Sequence, residues 1–170
     1  MNNISYKKLI AIFAIFFSFT AANAEPYIGI NLGTGSIDNY EDGNSGFIYG
    51  GYDNKHWAIE AGVNPLGYYE VPGIDSSIQI DGFEIDLLGK LKIAERFTAY
   101  GSVGYFEYTL KPEVFGVPLS ELDGSTITYG VGIMMDIGQT LKVRAAYEVY
   151  DDIEDLDASR IVFGVAAKVF

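Results

Sequence analysis

The densest group of chemically capable side chains is a run of five carboxylates near the C-terminal end of the sequence: Asp151, Asp152, Glu154, Asp155 and Asp157. Carboxylate oxygens are the ligands that Ca²⁺ and Mg²⁺ prefer in proteins. The run lacks the glycine and the regular ligand spacing of a calcium-binding loop. We therefore interpret it as an acidic, solvated surface loop without a resident metal, with loose bridging of divalent ions as the alternative. The same interpretation applies to Asp38, Glu41 and Asp42.

The residue types needed for catalysis are scarce. The sequence has one histidine, His56, and no cysteine, which excludes disulfides, cysteine zinc sites and thiol catalysis. Ser102, Ser120 and Ser125 lie far along the sequence from His56, and no serine stands two residues after it. We predict that the protein is not an enzyme and has no catalytic residues, no metal ligands and no cofactor.

The charge balance excludes another class of partner. The 170 residues include 23 Asp and Glu against 11 Lys and Arg, a formal net charge of -12. Such a chain has too few basic side chains to neutralise phosphates, so nucleic acid is not a partner.

Residues 1–24 have the three parts of a secretory signal peptide. Lys7 and Lys8 precede an apolar stretch at 9–19, and Ala22 and Ala24 form a small-x-small cleavage site. The apolar stretch is about 11 residues long, whereas a membrane-spanning helix needs about 20. We therefore predict cleavage after Ala24 and a single mature domain over residues 25–170.

The mature region alternates apolar and polar residues with the period of a β-strand. Thirteen Tyr, 11 Phe and 20 Gly against 5 Pro are typical of many short strands and turns. We predict eight strands of roughly the length that crosses a bilayer when tilted. They cover 26–34, 46–53, 57–71, 77–93, 97–111, 125–137, 141–150 and 160–170.

The connections between these segments alternate in length. Short turns are predicted at 54–56, 94–96 and 138–140, and the longer connections are predicted at 35–45, 72–76, 112–124 and 151–159. Short turns at one end and longer, acidic loops at the other are typical of an up-and-down barrel in the outer membrane. The fold class is therefore all-β, an eight-stranded antiparallel transmembrane barrel. His56 lies in the turn after the second strand, and the up-and-down order of the strands places this turn on the periplasmic side.

The alternation also separates charges from apolar residues. In residues 83–93 one face carries Phe83, Ile85 and Leu87, and the other carries alternating acids and lysines. In a membrane barrel the apolar face turns outward, so we predict an interior ion-pair network, with Asp136 opposite Lys142. Its members are Glu60, Glu84, Asp86, Lys90, Lys92, Asp136, Lys142, Arg144 and Glu148. It is interpreted as a polar plug, and a narrow ion path is the alternative.

Several motifs resemble the OmpA-like transmembrane domain and its small eight-stranded relatives in the outer membrane of Gram-negative bacteria. They are the last two segments at 141–150 and 160–170, the run Trp57-Ala-Ile-Glu-Ala-Gly62, and Tyr129-Gly-Val-Gly132. The resemblance implies that Phe170 belongs to the signal read by the barrel-insertion machinery. Some such barrels act on lipid A with a histidine-containing site at the outer rim, which this sequence lacks.

The predicted function follows from this architecture. An eight-stranded barrel has room inside only for side chains, so a diffusion pore is not expected. We expect a structural or surface-interaction role, with outer-membrane lipids, lipopolysaccharide and host or phage molecules as potential partners. The competitors are a narrow ion channel and a soluble periplasmic lipocalin-like carrier with inverted faces. Trp57, Tyr68, Tyr69, Tyr129 and Tyr147 are interpreted as membrane-interface aromatics.

Overall fold

The computed structural model describes residues 24–38, 40–73, 75–154 and 156–169, and every regular element in these ranges is a β-strand. The predicted signal peptide up to residue 23, Asp155 and Phe170 lie outside the described residues. The strands are β1 Glu25–Ile37, β2 Gly43–Asp53, β3 Trp57–Glu70, β4 Ser76–Lys92, β5 Phe97–Val114, β6 Val117–Pro118, β7 Leu122–Ile137, β8 Leu141–Ile153 and β9 Leu156–Lys168. Within the described ranges, no helix is long and apolar enough to span a membrane.

The sheet closes on itself. Its order is β4-β3-β2-β1-β9-β8-β7-β5-β6, and an additional pairing of β4 with β5 joins the two sides. The two-residue strand β6 pairs only with β5, where the two form a hairpin, so eight strands make the wall. Every neighbouring pair is antiparallel. The predicted eight-stranded up-and-down barrel is confirmed.

The outer face of the barrel is apolar, which confirms the predicted orientation of the faces. Large apolar side chains on alternate positions of every wall strand are exposed, and closure leaves no edge inside this band. We call this band the apolar belt. It includes Ile28, Ile30, Leu32, Ile48, Val63, Phe83, Leu87, Val103, Tyr105, Ile127, Tyr129, Val131, Tyr147, Ile161, Phe163 and Val165.

The two ends of the barrel differ. The end where β1 begins and β9 finishes, here called the terminus end, has three short turns at 54–56, 93–96 and 138–140. At the opposite loop end the wall strands continue past the apolar belt. The connections there are 38–42, 71–75, 115–121 with β6 inside it, and 154–155. Three of them are shorter than predicted because cross-strand hydrogen bonding extends into residues assigned to loops from the sequence, and 71–75 has the predicted length.

The predicted acidic loop is the clearest case of this difference. Asp151 and Asp152 belong to β8, and Asp157 belongs to β9. Glu154 lies in the turn, and Asp152 and Glu154 have φ angles of 66° and 53°. The described carboxylates therefore project from a tight hairpin end rather than from the longer loop predicted at 151–159.

The interpretation of Tyr69 as an interface aromatic is wrong. A bulge between Pro65 and Gly67 adds a residue to β3, so the alternation changes phase there. Tyr68 is exposed, while Tyr69 points into the barrel and donates a hydrogen bond to the Leu66 carbonyl at 2.9 Å. Tyr129 and Tyr147 are exposed on the belt as expected, and Trp57 is half-buried at the start of β3.

The last strand begins earlier than predicted. β9 pairs with β1 from Ile37 opposite Ala158 to Tyr27 opposite Lys168. Its outward residues are Ile161, Phe163 and Val165, and Lys168 forms an ion pair with Glu25 at 2.5 Å at the terminus end.

The apolar belt predicts that a charged substitution lowers the free energy of unfolding most in the middle of the belt and less beyond it. Val131 lies near the middle of the belt on β7 and is 63% exposed. Val131→Arg should lower the free energy of unfolding in lipid vesicles by about 2–4 kcal/mol. Ser125→Arg, on the same face of β7 beyond the belt, is the matched control and should cost less than about 1 kcal/mol. Equal losses in urea titrations of the two variants would contradict the assignment of the lipid-facing surface.

Candidate functional site

The most deeply buried charge in the barrel is Arg160 on β9, whose side chain is 0% exposed. Its Nη2 lies 2.5 Å from Glu148 Oε2 and 3.3 Å from Glu84 Oε2. Its Nη1 donates to Asn64 Oδ1 at 2.5 Å. The Tyr150 ring lies beneath the guanidinium, 5.3 Å from ring centre to Cζ. One side chain therefore joins β3, β4, β8 and β9 across the interior.

A second arginine forms a separate group closer to the terminus end. Arg144 Nη1 lies 2.8 Å from both carboxylate oxygens of Glu60, and Nε donates to Asn31 Oδ1 at 2.8 Å. Tyr27 donates its hydroxyl to Glu60 at 2.5 Å, and the guanidinium sits 4.3 Å from the centre of the Tyr49 ring. Each buried charge in this group has an opposite charge and additional hydrogen bonds, as burial requires.

The lysines of the predicted network meet at the terminus end. Lys90 and Lys142 both donate to Asp53, one to each carboxylate oxygen. Asp136 lies 4.0 Å from Lys142 and opposite it in the register, as expected from the turn. Lys92 is exposed at the end of β4, so its predicted place in the interior is wrong.

Asp86 has a neutral hydroxyl group as its hydrogen-bond partner, whereas Glu60, Glu84 and Glu148 contact arginines. It is 8% exposed and accepts a hydrogen bond from Thr128 at 3.3 Å. A Cβ at Gly104 would collide with Asp86 Oδ1 and with the Thr128 hydroxyl. The absence of a side chain at Gly104 therefore makes the space in which Asp86 lies.

Sequence reasoning missed five members of these groups: Asn31, Asp53, Asn64, Arg160 and Tyr27. Asp53 and Arg160 stand at the ends of predicted segments and were not assigned to either face. The alternation of side chains along a strand could have found Arg160. It lies an even number of residues, four, from Gly164, so both are on the inward face of β9. The two asparagines carry no charge, and so the charge pattern did not reveal them.

The interior at the loop end is apolar instead of polar. Buried side chains from every wall strand except β2 and β7 meet there above Arg160, with Tyr150 between the two layers. This outer apolar cluster consists of Ile37, Leu66, Tyr69, Ile78, Ile80, Phe106, Tyr108, Leu110, Tyr150, Ile153 and Ala158. Beside Arg144, a cavity of about 20 Å³ remains, room for a single water molecule.

The outer surface at the loop end is strongly acidic. Among the described residues there, Lys111 is the only cation, and it donates to Asp81 at 2.9 Å. This hydrogen bond raises the pKa of Lys111, which stays charged. Fourteen described carboxylates lie at the same end of the barrel: Asp38, Glu41, Asp42, Glu70, Asp75, Asp81, Glu107, Glu113, Glu121, Asp123, Asp151, Asp152, Glu154 and Asp157. In the described part of the chain, no group of three or more such side chains is arranged to hold a metal ion.

The residues considered for catalysis lie apart. His56 is exposed in the turn at the terminus end, where its carbonyl accepts a hydrogen bond from the Lys90 amide. Ser120 and Ser125 are exposed at the loop end, and Ser102 lies on β5 within the wall. The barrel length separates the histidine from both loop-end serines.

Comparison with known proteins identifies the family. The model of the outer membrane protein beta-barrel domain matches residues 9–168. Neisserial surface protein A (NspA) has a similar structure, with a TM-score of 0.71 and 10% identity over 85% of this chain and 97% of that one. The N-terminal β-barrel domain of Pseudomonas aeruginosa OprF gives 0.62 and 11%, covering 86% and 100%. No curated protein matches the sequence.

The attachment invasion locus protein Ail of Yersinia pestis is also similar, with a TM-score of 0.56 and 15% identity over 86% of this chain and 97% of that one. Its crystal structure is a complex with the heparin analogue sucrose octasulfate. The chain belongs to the outer membrane protein beta-barrel domain family, and its location is the outer membrane of a Gram-negative cell.

The Arg160 group predicts a large effect of one substitution. Arg160→Met should lower the free energy of unfolding by about 3–5 kcal/mol, because Glu84 and Glu148 would then be buried without their cation. Lys111→Met, which breaks the exposed pair with Asp81, should cost less than about 1 kcal/mol. Both are measured by urea titration in vesicles.

Adding Glu84→Gln and Glu148→Gln to Arg160→Met should recover part of the loss. No recovery in the triple variant would show that packing of the arginine, rather than charge compensation, determines the effect.

Proposed function

We propose that this outer-membrane barrel is sealed and acts as a structural or surface-interaction protein through its acidic loop end, and not as a pore or carrier. The loop end would face the outside of the cell, since barrels of this kind have short periplasmic turns and longer external connections. The terminus end, with His56, would face the periplasm.

The observation that carries the proposal is the packing of the interior. Three polar layers, centred on Asp53, Arg144 and Arg160, follow one another from the terminus end, and the outer apolar cluster closes the loop end. Ions crossing the barrel would have to pass between Ile80, Phe106 and Ile153, each of which is completely or almost completely buried. Apolar constrictions of this kind exclude water and ions.

The two competing functions are less well supported. A narrow channel needs a continuous polar path, and the polar layers end below the outer apolar cluster. A lipocalin-like carrier needs an apolar internal cavity for its ligand. The cavity beside Arg144 has a volume of only about 20 Å³, which is too small for any lipid, and charged side chains such as Glu60 line it together with Met134 and Ala166.

The surface role is supported by where the chain places its charges. The acidic side chains are grouped beyond the apolar belt, and most of them are exposed. There they would be accessible to lipopolysaccharide headgroups or to molecules of another cell. Export would use the signal peptide with cleavage after Ala24. Recognition by the barrel-insertion machinery would use Phe170. Both assignments are predictions from the sequence.

Single-channel recording tests the sealed interior. We expect no resolvable conductance steps from the purified barrel in a planar bilayer, and no change when Glu84, Asp86, Lys90 and Lys92 are neutralised together. Phe106→Ala with Ile80→Ala, which thins the outer apolar cluster, should introduce current. Wild-type conductance that disappears on neutralising the four charges would instead establish the ion channel.

A further inference from the structure

An apolar hairpin projects from the acidic loop end. The outer hairpin, residues 113–119, joins β5 to β6 through Phe115 and Gly116, whose φ angles are 52° and 72°. Two consecutive positive φ angles are typical of two-residue hairpin turns, which favour Asn or Gly at the first position. Here that position holds Phe115, which is 70% exposed, and Val117 and Leu119 are 60% and 51% exposed.

These apolar side chains do not contact the bilayer. Tyr105 is the last belt residue on the outward face of β5, and Phe115 lies ten residues further along the chain. At about 3.3 Å per residue this is about 33 Å of strand, or about 25 Å above the belt for a typical tilt. Exposed apolar groups at that height, surrounded by charge, are a feature of protein-binding surfaces.

An acid-lined pocket lies beside the outer hairpin. It has a volume of about 100 Å³, and its walls include Tyr68, Glu70, Asp75 and Glu113. The Phe115 amide donates to the Asp75 carbonyl at 2.7 Å, which holds the pocket and the hairpin together. The three carboxylates suit a cationic head group, and the half-exposed Tyr68 ring offers it an aromatic face.

The negative charge of the loop end determines which partners could bind the outer hairpin and its pocket. A second copy of this chain would bring another acidic loop end against the first, and the phosphates of lipids would also be repelled. Polyanions of the kind bound in the Ail structure are disfavoured for the same reason. Strand addition to β6 is hindered because Pro118 has no amide hydrogen to donate.

We propose that the outer hairpin and its acidic pocket bind a cationic amphipathic segment of another protein. A Lys or Arg side chain of the segment enters the pocket between Glu70, Asp75 and Glu113. Neighbouring apolar side chains of the segment pack on Phe115, Val117 and Leu119. This inference rests on the proposed surface role and specifies the chemistry of its partner.

The test uses the barrel in nanodiscs of zwitterionic lipid and two fluorescent probe peptides of equal positive charge. One is an amphipathic Lys/Leu peptide, and the other is oligolysine. Anisotropy titrations, corrected with empty nanodiscs, should show the Lys/Leu peptide binding at least about tenfold more tightly than oligolysine.

Three variants identify the site. F115S/V117S/L119S should reduce Lys/Leu binding to the level of oligolysine, and Phe115→Ser alone serves if the triple variant assembles poorly. E70Q/D75N/E113Q should weaken Lys/Leu binding about tenfold, whereas the matched acidic control D151N/E154Q/D157N, which also removes three charges, should change it less than about twofold. Each variant must show the wild-type mobility shift between unboiled and boiled samples on a detergent gel.

The outcomes separate this inference from the proposed function. Equal affinity of the two peptides, or equal effects of the two charge variants, would overturn the binding site but leave a diffuse acidic surface. Absence of binding by either peptide would overturn the site and would also count against a surface-interaction role for the acidic end.

Discussion

The structure depends on one constraint: the outer face of a closed eight-stranded sheet is committed to lipid, so the polar residues of every strand must be satisfied inside. A soluble barrel can leave such groups in water, whereas here most of them take partners from other strands across the interior. Among the described residues, the buried hydroxyls of Tyr49 and Tyr100 are exceptions without a partner. Arg160 and Arg144 meet this demand because a guanidinium has five donors in a fixed geometry. Each arginine connects carboxylates and amides from several strands, which makes the interior a set of stacked polar layers.

The strands and their faces could be predicted because the alternation of apolar and polar residues along a strand can be read directly from the order of residues in the sequence. The contacts across the barrel could not, because they depend on the strand tilt and stagger that closure imposes. Asp53 is 37 and 89 residues from the two lysines that it joins, and no alternation connects these positions. The bulge at Pro65 and Gly67 shows the limit of parity, since one added residue moved Tyr69 from the lipid side to the interior. Strand lengths at the loop end were underestimated because polar residues there resemble a loop even where they are hydrogen-bonded in a ladder.

The interior changes along the barrel axis from mixed polar and apolar packing to the outer apolar cluster, and this change links packing to function. The polar layers lie at the height of the apolar belt, and a buried apolar cluster that includes Phe47, Leu88 and Met134 packs among them. The outer apolar cluster lies where the strands have left the belt and form a small core of their own. This second core supports the part of the wall that rises above the bilayer, including β4, β5 and the hairpin that follows them. The proposed surface role would therefore use a part of the wall that has a packed core of its own, joined to the membrane-embedded part through Tyr150.

The separation of charge along the barrel axis also affects how the protein can enter a membrane. Carboxylates dominate one end, while Lys55, Lys90, Lys92, Arg96, Lys142 and Lys168 are at the other. If the loop end faces outside as proposed, insertion from the periplasm requires the acidic end to cross the hydrocarbon, where every charged group is costly. The tight connections at 38–42, 71–75 and 154–155 limit how much polar chain makes that passage. In that orientation the basic end does not have to cross. The molecule thus has an electrical polarity that makes its final orientation hard to reverse.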